Sequence, residues 1–218
     1  MKKIIIAAMA LTCATAGFSA DTVTSENIVG YNKVVATSLN LVSVDFDYSA
    51  TNITPETIYG DTLPVGTKIF TFTSGIGYAT SEYVESFGTK FWTATPALNG
   101  ATAHWLAFNV GDTPVDPIYS GDVLLAEFTT NSIIPGLQLL SWPYPTAVKL
   151  SDMGIVPEEG DKVYTYDPAV GYATAEYVNS FGTLFWTADP VIKIGEGFWY
   201  SSNISVTNRW IATRPFTP

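Results

Sequence analysis

Residues 77–96 read GYATSEYVESFGTKFWTATP, and residues 171–190 read GYATAEYVNSFGTLFWTADP. Near-identity over such a stretch obliges one chain to build the same local structure twice, because the same turn glycines and large side chains impose the same local path. The match widens when the chain is shifted by 94 residues: 18 of 29 positions agree between residues 68–96 and 162–190. Upstream, LNLVSVDF answers LQLLSWPY at a shift of 98, so the first copy holds about four extra residues in SATNITPETIYGDTLPVG. Downstream, ATAHWLAFN answers GEGFWYSSN. The repeat divides the chain into a first copy with an N-terminal strand region, residues 21–118, and a second copy, residues 119–218.

Each copy is patterned as strands. In KIFTF and KVYTY, Phe70 and Phe72 share a face, as do Tyr164 and Tyr166, with Thr71 and Thr165 opposite. Turn residues punctuate the chain at TSGIG, SFGT, LNG, VGDTP, DPAVG and IGEG. No segment sustains an apolar spacing of three and four; TSEYVES and TAEYVNS are long enough for a single helical turn. The pattern predicts an all-β fold of two tandem homologous modules, sandwich- or barrel-like, each of about 90 residues. Such a module closes on its own core or pairs with its twin across a pseudo-twofold axis. KFWTA and LFWTA favour pairing, because Phe91 and Phe185 point one way and Trp92 and Trp186 the other, and a strand apolar on both faces needs protein on both. Residues 68–96 and 162–190 are therefore expected to form the same strands in the same order, with Phe91, Trp92, Phe185 and Trp186 in the core or at the seam.

The chain opens with MKKIIIAAMALTCATAGFSA: two lysines, an apolar run and small residues, in the order of a secretory signal peptide over residues 1–20. The run is shorter than the roughly 20 residues of a membrane-spanning helix. The one cysteine, Cys13, lies inside this leader after Thr12, a poor context for lipidation, so the mature chain has no disulfide or thiolate chemistry. The expected location is extracellular, cell-surface or periplasmic, with stability drawn from the core. Composition agrees, since 47% of residues are hydrophobic and only 14% are charged. Without Lys2 and Lys3 the balance is 8 basic to 20 acidic residues, a net charge of −12, which repels phosphate backbones and excludes nucleic acid as a partner. The same charge keeps an aromatic-rich exported protein soluble.

Groups that carry chemistry are scarce. The one histidine, His104, aligns with Phe198, which marks a packing position and not a general base. Glu82 and Glu176 are repeat-matched carboxylates; an acid–base pair needs unlike environments, whereas a repeat supplies like ones. Asp45, Asp47 and Asn52 in one loop, and Glu158, Glu159 and Asp161 in another, are the candidates for calcium, but neither has a known loop spacing and both read as solvated turns. No nucleophile elbow, phosphate loop or dinucleotide fingerprint occurs. No catalytic, cofactor or metal site is assigned and no cofactor is expected. Tyr78, Tyr83 and Trp92, with their twins Tyr172, Tyr177 and Trp186, form either two equivalent platforms for stacking sugar rings or the filling of two equivalent cores.

The second copy contains GLQLLSWPYP, EEGDKVYTYD, FW and IKIGEGFWY, and the chain carries ENIVGYNKV at residues 26–34. These stretches resemble the paired β modules of small, uncharacterised exported bacterial proteins, which start G-x-N-L-x-S-x-P and close G-x-G-F/Y-W. The first copy departs from that pattern: SLNLVSVDFD lacks the first glycine and the proline, and NGATAHWLA lacks the closing glycines. The resemblance covers nearly the whole mature chain and implies a β-rich extracytoplasmic module with no assigned enzymatic activity. The expected function is a non-catalytic structural, adhesive or assembly role at the cell surface or outside the cell, through self-association or a cell-surface component. In this reading the opening region TVTSENIVGYNKVVAT pairs with a neighbour's sheet edge. The alternative is a carbohydrate-binding module.

Overall fold

The computed structural model describes residues 29–33, 38–47, 53–98, 101–109, 111–112 and 115–217. Residues 1–20, read above as a leader, and Asn52 lie outside the described residues. The fold is all-β and antiparallel. The first half runs β1 (Val29–Lys33), β2 (Leu39–Ser43), a short helix α1 (Pro55–Tyr59), β3 (Lys68–Thr73), β4 (Gly77–Ser86), β5 (Thr89–Trp92), β6 (Ala103–Ala107) and β7 (Ile118–Asp122). The second half runs β8 (Phe128–Ile133), β9 (Gly136–Ser141), β10 (Val148–Lys149), a 3-10 turn at Leu150–Asp152, β11 (Lys162–Asp167), β12 (Gly171–Ser180), β13 (Thr183–Trp186), β14 (Val191–Ile192), β15 (Gly197–Ser202) and β16 (Asn208–Thr213).

The duplicated sequence gives duplicated strands. One five-stranded sheet has the order β2-β6-β3-β4-β5 and the other β9-β15-β11-β12-β13. Registers correspond as well: Lys68 faces Glu82 as Lys162 faces Glu176, and Tyr83 faces Trp92 as Tyr177 faces Trp186. TSEYVES and TAEYVNS form no helical turn; both lie inside ten-residue strands. Each half also pairs its first strand with its last, β1 with β7 and β8 with β16. The junction read at residues 118/119 thus falls inside β7, which belongs by its pairing to the first half. Val29–Lys33 of the opening region is likewise engaged within the chain.

The extra residues of the first copy hold α1. Thr54 is its N-cap, its side chain accepting from the Thr57 N–H while the Thr57 hydroxyl accepts from the Thr54 N–H at 2.8 Å, and a proline opens the helix. The helix lays Ile58 and Tyr59 on the outer face of the first sheet, where they join Val42, Ile69, Tyr83, Trp92 and Leu106 in one core. The second sheet buries Leu140, Val163, Ala175, Phe198 and Tyr200 in a core of its own with Trp142, Tyr144 and Trp210.

Strand alternation sends the neighbouring side chains the other way. Leu41, Phe70, Phe72, Ala103 and Trp105 leave the first sheet and meet Leu139, Tyr164, Tyr166 and Trp199 of the second. The two sheets therefore pack face to face over an aromatic seam, each covered on its outer face by its own core. Trp199 takes Phe72 edge-on at 4.8 Å between centroids, and Trp105 takes Tyr166 edge-on at 4.9 Å. At the seam's corners the Ser43 N–H donates to Gly195 O at 2.9 Å and the Ser141 N–H donates to Ala101 O at 3.2 Å. Being covered on both faces explains the continuous apolar reading of HWLA and GFWY, which alternation from a half-buried strand would not produce.

Phe91 and Phe185 are a correction to the sequence reading. Both are exposed, at 41% and 44%, and belong to neither core nor seam. The contacts across the seam come chiefly from β2, β3 and β6 against β9, β11 and β15, so β5 and β13 extend past the opposing sheet. Among the described residues, no strand of the opposing sheet packs over their second apolar face. In chemical denaturation, Trp199→Ala is expected to lower stability by about 3–5 kcal/mol, whereas Phe185→Ala changes it by less than about 1 kcal/mol.

Candidate functional site

The six aromatic residues read as platforms separate into three environments. Tyr83 and Trp92 are buried, rings 5.2 Å apart, with Tyr59 of α1 against the tryptophan; they offer no ring face to solvent. Tyr177 and Trp186 repeat the pair at 5.2 Å but are only half-buried. The difference follows from α1, which the second copy replaces with the short β10 strand and the 3-10 turn. Tyr78 and Tyr172 stand at the seam rims, 57% and 56% exposed. Tyr78 leans on Phe72 and Trp199, and Tyr172 on Tyr166 and Trp105.

The hairpins β4–β5 and β12–β13 end in a feature that was read only as a turn. Phe87 and Gly88 have φ of 51° and 77°, and Phe181 and Gly182 have 53° and 85°. Two consecutive positive φ values between paired strands make a two-residue type I′ turn, whose first position ordinarily holds Asn, Asp or Gly. A bulky side chain there costs about 1–3 kcal/mol. Both phenylalanines are fully exposed, at 106% and 107%, so no burial offsets the strain. The signal was present in the sequence: SFGT places Phe before the turn glycine, twice.

The polar candidates are bonded to their own surroundings. Glu82 pairs with Lys68 at 3.9 Å and Glu176 with Lys162 at 3.6 Å, each within its own hairpin. Asp161 is buried and accepts from Tyr200 Oη at 2.5 Å, the Asn203 N–H at 2.6 Å and the Glu158 N–H at 3.0 Å. Its carboxylate is a staple between a loop and β15, while Glu158 and Glu159 face solvent. Asp45 is buried, so it is no solvated turn residue; Asp47 bridges to the backbone at Asp122. Among the described residues no three His, Cys, Asp or Glu side chains group as metal ligands, and no helix is long and apolar enough to cross a membrane. A cleft of about 780 Å³ opens at one end of the seam, with Leu41, Tyr166, Val170 and Ile194 in its wall. Its charged residues are engaged, Lys193 with Glu196 at 2.9 Å, Lys33 with Asp116 at 2.7 Å, and Asp167 accepting from the Ala169 N–H.

In the first half two buried ionisable groups, a histidine and a carboxylic acid, break the repeat. His104, whose twin is Phe198, meets Tyr59 Oη at 2.7 Å, and burial pushes its pKa down to about 3. Asp45, whose counterpart at the shift of 98 is Pro143, accepts from Ser43 and, across the halves, from the Gly195 N–H. Burial raises its pKa to about 7 against those two donors. Asp45 is the residue that sequence reasoning missed in this role; its departure from the repeat was the available signal. No protein-family model, curated protein or solved structure matches this chain.

The two shifts have opposite consequences. The unfolded chain releases the Asp45 proton near pH 4, so stability from Asp45 is complete below that value and is lost as pH rises toward 7. The unfolded chain protonates His104 near pH 6.5, so stability from His104 is complete above that value and is lost as pH falls toward 3. Between about pH 4 and 6.5 the two slopes, each near 1.4 kcal/mol per pH unit, offset. Relative to the parent, His104→Phe is expected to lose stability with rising pH across that window and Asp45→Asn to gain it. Denaturation midpoints for the three proteins that stay parallel with pH contradict this assignment.

Proposed function

We propose that this is an exported, non-catalytic β-repeat protein, with two homologous modules related by a near-twofold axis, that serves adhesion or assembly at the cell surface or outside the cell. The observation that carries the reading is the pair of fully exposed phenylalanines, Phe87 and Phe181, each held at positive φ at the tip of an equivalent hairpin. Stability alone selects Asn there; an apolar ring presented twice on rigid tips is a contact surface. The leader supports export, and the acidic surface supports solubility outside the cell.

The near-twofold arrangement is supported where the halves touch. Ala103 and Gly197 are twins at the shift of 94, and a Cβ on Gly197 would lie 2.2 Å from that of Ala103. A position on a twofold axis meets its own twin, and this one has room for a single methyl group. Gly197→Ala is expected to lower stability by about 1–3 kcal/mol through overpacking. Adding Ala103→Gly should restore most of the loss. Equal stability of the single variant and the parent contradicts the arrangement.

The carbohydrate reading keeps one specific observation, the exposed rings of Tyr78 and Tyr172 at equivalent rims. One pair of double variants separates the readings. Phe87→Asn with Phe181→Asn relaxes both turns, so the protein melts at or above the parent temperature yet loses attachment to the producing cells. If attachment survives that change and is lost in Tyr78→Ala with Tyr172→Ala, sugar stacking replaces the adhesive reading.

A further inference from the structure

The twin hairpins differ at few positions, and two of these lie at the sheet edge. Lys90 in β5 corresponds to Leu184 in β13; the residue across from it is Glu85 in the first hairpin and Asn179 in the second. A lysine on an edge strand is a common guard against pairing with another chain. One copy carries the guard and the other has lost it. Both strands are outermost in their sheets, with a partner on one side only among the described residues. Leu184 is 49% exposed, Phe185 is 44% exposed, and the chain carries no charged residue from Tyr177 to Ala188.

We propose that β13 is a docking edge for a second copy of this chain, pairing antiparallel with that copy's β13 to form a closed twofold dimer. This inference rests on the assembly reading above. The strand is complementary to itself. Ser180 and Thr183 flank the turn as opposed residues, and the Thr187 N–H donates inward to Glu176 O. The alternation of an antiparallel ladder therefore turns the backbone groups of Leu184 and Trp186 outward. Two β13 strands centred on Phe185 set Leu184 against the second copy's Trp186, matching every outward donor with an acceptor. The two Phe185 rings then meet on one face at the closely spaced, non-hydrogen-bonded position.

Charge selects the same occupant. A chain of net charge −12 without its leader repels its own copies over most of its surface, and the charge-free β13 edge lets two of them approach without apposing like charges. The same pairing about Phe91 in β5 would bring the two Lys90 side chains within diagonal reach. Pairing of identical edges closes at two copies and leaves no free end. An edge of four residues makes a small interface, so the dimer forms reversibly with concentration.

The test is sedimentation of protein recovered from outside the cytoplasm, over a range of concentrations. The parent is expected to pass from the mass of one chain to that of two. Leu184→Lys should remain at one chain at every concentration while melting like the parent. Lys90→Leu, which opens the second edge, should grow beyond two chains; this arm carries the test even if Leu184→Lys fails to fold. A parent that stays at one chain, a Leu184→Lys protein that dimerises like the parent, or a Lys90→Leu protein that stops at two chains overturns the proposal. None of these results depends on cell attachment through Phe87 and Phe181, so either reading can fall while the other stands.

Discussion

Trp105 and Trp199 occupy the same place in the two copies, and each is clasped by aromatic rings of the opposite half. Trp199 sits against Phe72 and Tyr78, and Trp105 against Tyr166 and Tyr172. An indole is rarely left in water at full area. Each half therefore has an aromatic face that the other half covers. Duplication and burial meet here: the ring contacts of Trp199 with Phe72 and Tyr78 recur, with the halves exchanged, as those of Trp105 with Tyr166 and Tyr172.

The rest of the architecture follows from where that seam ends. It covers β2, β3 and β6 against β9, β11 and β15 and, among the described residues, sets no opposing sheet over the seam-side face of β5 and β13. Those hairpins still carry large apolar side chains, at Phe87, Phe91, Phe181 and Phe185. Three of the substitutions that distinguish the copies have a direct physical consequence. Phe198 becomes His104 beside Tyr59, Pro143 becomes Asp45 beneath Gly195, and Lys90 becomes Leu184 at an edge. In the first two the physical consequence is a buried ionisable group in one half only. In the third it is an edge guarded in one half only.

Much of this was legible in the sequence. The internal match located β3, β4 and β5 and their counterparts, and alternation placed Phe70, Phe72, Tyr164 and Tyr166 on one face. His104 as a packing residue followed from its alignment with phenylalanine. Alternation failed at Phe91 and Phe185 because it fixes which face a side chain takes and says nothing of where the opposing sheet stops. Four of the six proposed platform rings turned out buried or half-buried for the related reason that α1 packs over Tyr83 and Trp92, and Trp186 packs on the second core, through tertiary contacts that alternation does not show. The capping pattern at Thr54–Pro55–Thr57 was readable but short. The positive φ of Phe87 and Phe181 was signalled only by their place before a turn glycine, because phenylalanine is the last residue that a type I′ turn would suggest.

The central claim is that reciprocal aromatic contact across the seam, and not merely burial within each half, holds the two copies together. A double-mutant cycle between Trp105 and Tyr166, whose rings lie 4.9 Å apart in different halves, isolates that contact. Urea denaturation of the parent, Trp105→Leu, Tyr166→Leu and the double variant is expected to give a favourable coupling of about 0.5–1.5 kcal/mol. Additivity of the two single effects to within about 0.3 kcal/mol would contradict it.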